Sequence, residues 1–105
     1  MSSKFWSPFS ERCGFILKDG TQIEVPNIHK EPSNFFAMDP AEIEKYKDQI
    51  AYFWHSHVDD NINLSLDDYL SFLAYPDHRH RIYNSRDEYA EYYVRRDFVL
   101  REETT

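Results

Sequence analysis

One spacing constrains this 105-residue chain more tightly than its composition does: His55-Ser56-His57, then Ser65 and Asp68, in the pattern H-x-H-x₇-S-x₂-D. Two histidines at i and i+2 act together only on an extended strand, where alternate side chains face the same way. Asp68 can join them only if a helix opened by Ser65 folds back across that strand. Two imidazoles, one carboxylate and a free fourth position suit a catalytic zinc site rather than a closed structural one. The competing reading of an HxH pair is a half-buried strand whose histidines hydrogen-bond locally. With five His, nine Ser and ten Asp in the chain, the longer pattern arises by chance in on the order of one shuffled chain in a thousand. That rarity favours metal.

A chain of this length supplies one domain, and eight Tyr, eight Phe and two Trp give it material for a core. The net charge of −7 argues against nucleic acid or an anionic membrane as partner and mildly attracts divalent cations. No apolar run reaches membrane-spanning length, and residues 1–12 lack a signal peptide's hydrophobic stretch. Cys13 has no second cysteine to pair with, so a reducing cytoplasm is the expected compartment.

Residues 1–10 read as a lead-in, 11–100 as the domain and 101–105 as a tail. Residues 11–17 and 21–25 form a predicted β-hairpin about the turn Lys18-Asp19-Gly20, with Ile23 and Val25 on one face. Asp39, Pro40 and Glu42 mark a helix start over 42–49. Residues 50–57 read as a central strand buried on both sides, and 58–63 as a polar loop. Ser65 is the expected N-cap of a second helix, with Asp68 at N3 and Leu66, Tyr69, Leu70 and Leu73 as its apolar stripe. Residues 79–84 suggest a strand, 87–93 a strand or helical turn, and 98–100 a closing strand. Interleaved strands and helices place the chain in the α/β (α+β) class, around one sheet.

Amide hydrolysis at a zinc held by His55, His57 and Asp68 needs a group that takes a proton from water and returns it to the leaving amine. Glu11, at the head of the first strand, is the candidate; its alternative reading is a solvent-exposed strand end. Ser65 can both cap its helix and donate to a developing oxyanion. His78 and His80 form a second HxH without a following serine or carboxylate, and read as a polar loop or exposed strand end. His29 has no local motif, and Cys13 reads as a small buried hydrophobe. The tyrosines of 82–98 read as core and surface residues rather than base-stacking platforms, given the acidic charge. Asp59-Asp60 lacks the spacing of a calcium loop.

Glu11-x-Cys13-Gly14-x-Ile16 followed by His55-x-His57-x₇-Ser65-x₂-Asp68 resembles the JAMM motif of the MPN+ (JAB) metallopeptidases over roughly residues 11–83. Residues 27–40, with Pro32, Phe36 and Asp39-Pro40, resemble the branch found in tail-assembly proteins of tailed bacteriophages. The resemblance implies an MPN/JAB-like (cytidine-deaminase-like) domain with a central mixed sheet flanked by helices. It implies Zn2+ bound by His55, His57 and Asp68, Glu11 as general acid/base, and Ser65 as the oxyanion-stabilising serine. The implied substrate is a peptide or isopeptide bond in a protein, in a phage tail protein or beside a ubiquitin-like terminus. The alternatives are a non-catalytic MPN scaffold in tail or protein assembly, and a bacterial deubiquitinase-like isopeptidase. Relatives commonly carry proline after the second histidine; Val58 stands here and alters the loop's stiffness rather than the ligands.

Overall fold

The computed structural model describes residues 3–102, and in it the predicted hairpin forms from β1 (Cys13–Leu17) and β2 (Gln22–Val25), with Cys13 opposite Val25. Gly20 takes φ 90° at the turn, a conformation that costs an L side chain strain. Gly14 meets a different demand. A Cβ there would sit 1.9 Å from the Ile23 carbonyl oxygen and 2.9 Å from Trp54 Nε1. Its absence lets the Trp54 indole donate to the Phe15 and Ile23 carbonyls at 3.2 and 3.3 Å.

α1 (Pro40–Tyr46) starts as its signals require, the Asp39 carboxylate accepting from the Ala41 N–H at 2.9 Å. It ends before residue 49 because the chain turns, Gln49 N–H donating to the Tyr46 carbonyl, to enter β3 (Ile50–Ser56). α2 (Leu66–Ala74), β4 (Arg79–Tyr83), β5 (Tyr89–Arg95) and β6 (Phe98–Arg101) follow. The ambiguous 87–93 segment is therefore strand, entered through Asp87 at φ 58°. Arg101, assigned to the tail by sequence, closes β6; residues 103–105 lie outside the described residues.

Among the described residues six strands lie in the order β2-β1-β3-β4-β5-β6. β3 and β4 run parallel, as the α2 crossover between them allows, and every other pair is antiparallel. Cys13, His55, Ile82 and Ala90 are successive cross-strand partners and so share a face. Both helices stand on that face. Ile43 and Tyr46 of α1 pack on the cluster of Phe15, Leu17 and Phe53, while Phe72 of α2 packs on Ile82, Ala90 and Tyr92. On the opposite face the lead-in supplies the cover. Phe5 stacks on Tyr83 at 3.6 Å and meets Trp54 edge-on at 4.9 Å. Residues Phe53 to Ser56 are accordingly buried, in a small α+β domain of one mixed sheet and two helices.

The stripe expected for α2 is a correction. Leu66 and Leu70 are 76% and 57% exposed, and the buried residues of this helix are Asp68 and Phe72. Turning the i, i+4 pair Asp68–Phe72 inward puts the leucines outward, because a helix has only one face to bury. No helix among the described residues is long and apolar enough to cross a membrane.

Candidate metal centre

His55 points from β3 into the helix-covered face, and His57 follows one residue past the strand's end. Continued pairing, Ser56 N–H donating to the Arg12 carbonyl at 2.9 Å, keeps the chain extended there. The two imidazoles therefore project together, their Nε2 atoms 3.3 Å apart. Asp68 meets both from α2, Oδ1 at 2.9 Å from His55 Nε2 and Oδ2 at 2.8 Å from His57 Nε2. The position of Asp68 is local chemistry. Ser65 Oγ accepts from the Asp68 N–H at 3.1 Å while Asp68 Oδ2 accepts from the Ser65 N–H at 3.2 Å, a reciprocal capping box.

Glu11 completes the group. It lies two residues before β1, and the exposed-end alternative fails because its residue is only 6% exposed. Glu11, His55 and His57 present donor atoms within 4.8 Å of one another. The Glu11 N–H donates to the Pro32 carbonyl at 2.7 Å, and Asn27 Nδ2 donates to the Glu11 carbonyl at 2.9 Å. Asn27 is a hub for this loop, also bonding Phe35 O and accepting from the N–H groups of His29 and Ala37.

Burial and hydrogen bonding set the protonation states. Burial pushes the Glu11 carboxyl up to about 8, against the opposing pull of His57 and with help from the charges of Asp68, Asp59 and Asp67. Burial also opposes ionisation of Asp68, but hydrogen bonds from His55 and His57 outweigh it and hold this carboxyl far below the usual range. His55 is fully enclosed, and burial lowers its pKa despite the Asp68 contact. For His57 burial is overcome by the Asp68 bond and charge, by Glu11 and by Asn61, which together raise it to about 9. Without a metal, His57 thus carries the positive charge that Asp68 requires, and His55 is neutral.

Two imidazole nitrogens and carboxylate oxygens at this spacing could hold a transition-metal ion, for which imidazole is a common ligand; calcium and magnesium take oxygen donors. The His57 Nδ1–H donates to the Asn61 carbonyl at 3.1 Å, which leaves Nε2 as the nitrogen that could ligate a metal once its proton is lost. Trp6 Nε1 donates to the His57 carbonyl at 2.7 Å, and Phe36 stacks on His55 with ring centres 4.3 Å apart. The contacts of Asn61, Asn27, Trp6 and Phe36 around the cluster are not legible in the sequence. None carries a spacing signal, since each acts through a contact between segments distant in the fold or within an irregular loop.

The second HxH separates in an unexpected way. His80 is buried rather than exposed, stacked on Phe72 at 4.2 Å and Phe53 at 5.4 Å, with Nε2 3.0 Å from the Tyr75 carbonyl. Burial lowers its pKa to about 4, so it is a neutral core residue at pH 7. His78 meets Phe53 edge-on, and His29 Nδ1 accepts from the Glu31 N–H. Cys13 is fully buried, its thiol pushed up to about 12 by burial. Asp60 holds Ser85 through its N–H and hydroxyl, tying the 58–63 loop to the β4–β5 turn.

A cleft of about 620 Å³, walled by Glu11, His57, Asp59, Ser65 and Asp67 among others, opens over the cluster. A second, of about 440 Å³, continues past Glu11, Ser65, Asp67 and Asp68 towards Lys30 and Leu70.

Among known proteins, the solution structure of protein DSY2949 from Desulfitobacterium hafniense is similar. It superimposes with a TM-score of 0.66 over 91% of this chain and 77% of that one, at 22% sequence identity. At that identity the likeness concerns the fold. No protein-family model and no curated protein sequence matches the chain.

Proposed function

We propose that this chain is a zinc-dependent peptidase of the JAMM (MPN+) type, hydrolysing a peptide or isopeptide bond in a protein substrate. The observation that carries this reading is the buried convergence of Glu11, His55, His57 and Asp68, of which Glu11 and His57 line an open cleft. His55, His57 and Asp68 would hold the zinc. Bound there, the metal would polarise a substrate carbonyl and lower the pKa of a coordinated water to about 7.

The residues supply the rest. Glu11, buried beside the histidines and lining the cleft, can take a proton and give it back once a bound cation favours its ionised form. It takes the proton of the attacking water and returns it to the leaving nitrogen. Ser65 Oγ accepts from the helix N–H of Asp68, so its own hydroxyl proton is free to bond the carbonyl oxygen as negative charge develops there. Asn61 holds the His57 ring through Nδ1. For the setting, the resemblance of residues 27–40 to the tail-assembly branch supports a phage protein substrate in the host cytoplasm.

Metal analysis and a Glu11→Gln variant test the proposal. About one zinc per chain is expected, retained in Glu11→Gln while hydrolysis of test peptides and conjugates is lost. A chain purified without metal, whose stability does not respond to added zinc or to His55→Ala, would refute it.

A further inference from the structure

The two helices anchor to separate parts of the sheet. Ile43 of α1 packs on Phe15, Leu17 and Phe53, whereas Phe72 of α2 packs on Ile82, Ala90 and Tyr92. Helices of only seven and nine residues leave a seam between them. Along it runs a crevice of about 230 Å³, walled by Phe36, Met38 and Ile43 on one side and by Phe72 and Tyr75 on the other, with Phe53 from the sheet. This crevice is apolar where the two clefts are not. No acidic residue, lysine or arginine lines it. His80 is neutral there, with Nε2 taken by the Tyr75 carbonyl, and His55 Nε2 turns to Asp68. A water settled in a cavity needs roughly two to four polar partners, and a lining whose imidazoles are already engaged offers it little.

Size narrows the occupant. Sites for cofactors and drug-sized molecules run to roughly 300–1,000 Å³, more than this crevice holds. An apolar cavity of about 150 Å³ takes up benzene, so the volume here suits one leucine or phenylalanine side chain. Position narrows it further. Phe36 and Ser71 line both the crevice and the cleft walled by Glu11 and Asp68, so the two communicate. His55 forms part of the crevice wall, its ring stacked on Phe36 at 4.3 Å. A peptide lying in the cleft therefore reaches the crevice with a single side chain, one ring away from the metal-ligating cluster.

We propose that this crevice is the specificity pocket, seating one large apolar side chain of the substrate, leucine or phenylalanine in size, beside the bond to be cut. The inference rests on the peptidase reading and names the residue type that such a peptidase prefers. Selection works by burial: each methylene moved from water onto the aromatic walls adds to binding. A charged side chain is turned away, because nothing in the lining pairs with it and its desolvation goes uncompensated.

The test uses the full zinc-loaded chain carrying Glu11→Gln, so that binding is read apart from turnover. The chain has two methionines, Met1 and Met38, so isotope-labelled methionine methyl groups place a nuclear magnetic resonance reporter in the crevice wall. Acetylated pentapeptides of glycine with leucine, alanine or lysine at the centre are titrated. The leucine peptide is expected to shift the Met38 methyl and to bind roughly fiftyfold more tightly than the alanine peptide, with lysine no better than alanine. Ala74→Phe fills the crevice from an exposed position at the end of α2, and Ala37→Leu fills it from the opposite wall. Each is expected to bring leucine and alanine to about equal affinity while zinc uptake is kept. Equal binding of leucine and alanine peptides, or a leucine preference that survives both filled variants, overturns the inference. So does a Met38 shift that follows protein concentration without peptide, which would give the crevice to a second copy of the chain. If the wild-type chain binds zinc and cuts leucine and alanine peptides alike, the peptidase reading stands and this inference alone falls. A chain that takes up no zinc refutes the peptidase reading and, with it, the assignment of the occupant to a substrate.

Discussion

Replacing Phe72 by alanine is the sharpest test of how α2 delivers Asp68. Phe72 is 1% exposed, and its ring lies 4.2 Å from His80, 5.8 Å from Tyr92 and 6.0 Å from His55. It is the one apolar side chain that α2 buries fully, the other buried residue being Asp68 one turn earlier. Truncation of such a phenylalanine costs about 3–5 kcal/mol in lost transfer energy and cavity, a large share of the roughly 5–15 kcal/mol that holds a domain folded. At about 4 °C per kcal/mol the melting temperature should fall by roughly 12–20 °C. Urea unfolding followed by tryptophan fluorescence measures the loss, with Leu70→Ala as control. Leu70 is on the same helix but 57% exposed, and its truncation should stay within about 0.5 kcal/mol. Zinc affinity should fall in Phe72→Ala as well, because a loosened α2 no longer holds Asp68 against the histidines. A cost below about 1 kcal/mol for Phe72→Ala, or an equal cost for Leu70→Ala, would show that α2 is anchored by the leucine stripe after all.

Zinc uptake should release protons. At pH 7 His57, with its pKa near 9, and Glu11, with its pKa near 8, are both protonated in the metal-free protein. Ligation strips the first and ionisation beside the cation the second, so apparent zinc affinity should rise with pH up to about 9. Calorimetry in buffers of different ionisation enthalpy counts the protons, and a pH-independent affinity between 6 and 9 would contradict the assigned states. Ser65→Ala should cost about 1 kcal/mol through the lost cap. Ser65→Asn should keep the cap and zinc binding yet lose turnover if the hydroxyl acts on the carbonyl oxygen, an outcome read by comparing unfolding curves with hydrolysis rates.

Much of this architecture is legible in single residues. Asp39-Pro40 and Ser65 announce helix starts because capping satisfies N–H groups within a few residues of the cap. Lys18-Asp19-Gly20 announces a turn because only the local backbone must accommodate it. The histidine pair and Asp68 are legible for the same reason, as periodicity and capping are short-range rules. The apolar stripe of α2 was misread because Leu66 and Leu70 outnumber Phe72 in the pattern, while packing rewards the residue that meets the sheet. His80 was misread because a histidine's burial depends on Phe53, Phe72 and the Tyr75 carbonyl coming together around it.

The local frame is therefore written in the sequence: every strand but β5, the residues that open the helices, and the spacing that lets His55, His57 and Asp68 meet across one crossover. Only the tertiary structure decided what stands beside them. Burial of Glu11, with its raised pKa, arises from Asn27 and Pro32 closing a loop over the end of β1. The orientation of His57 depends on Asn61, four residues on in the same irregular loop, and on Trp6 from the lead-in. Desolvation and second-partner hydrogen bonds belong to the packed chain, and no spacing rule along the sequence encodes them.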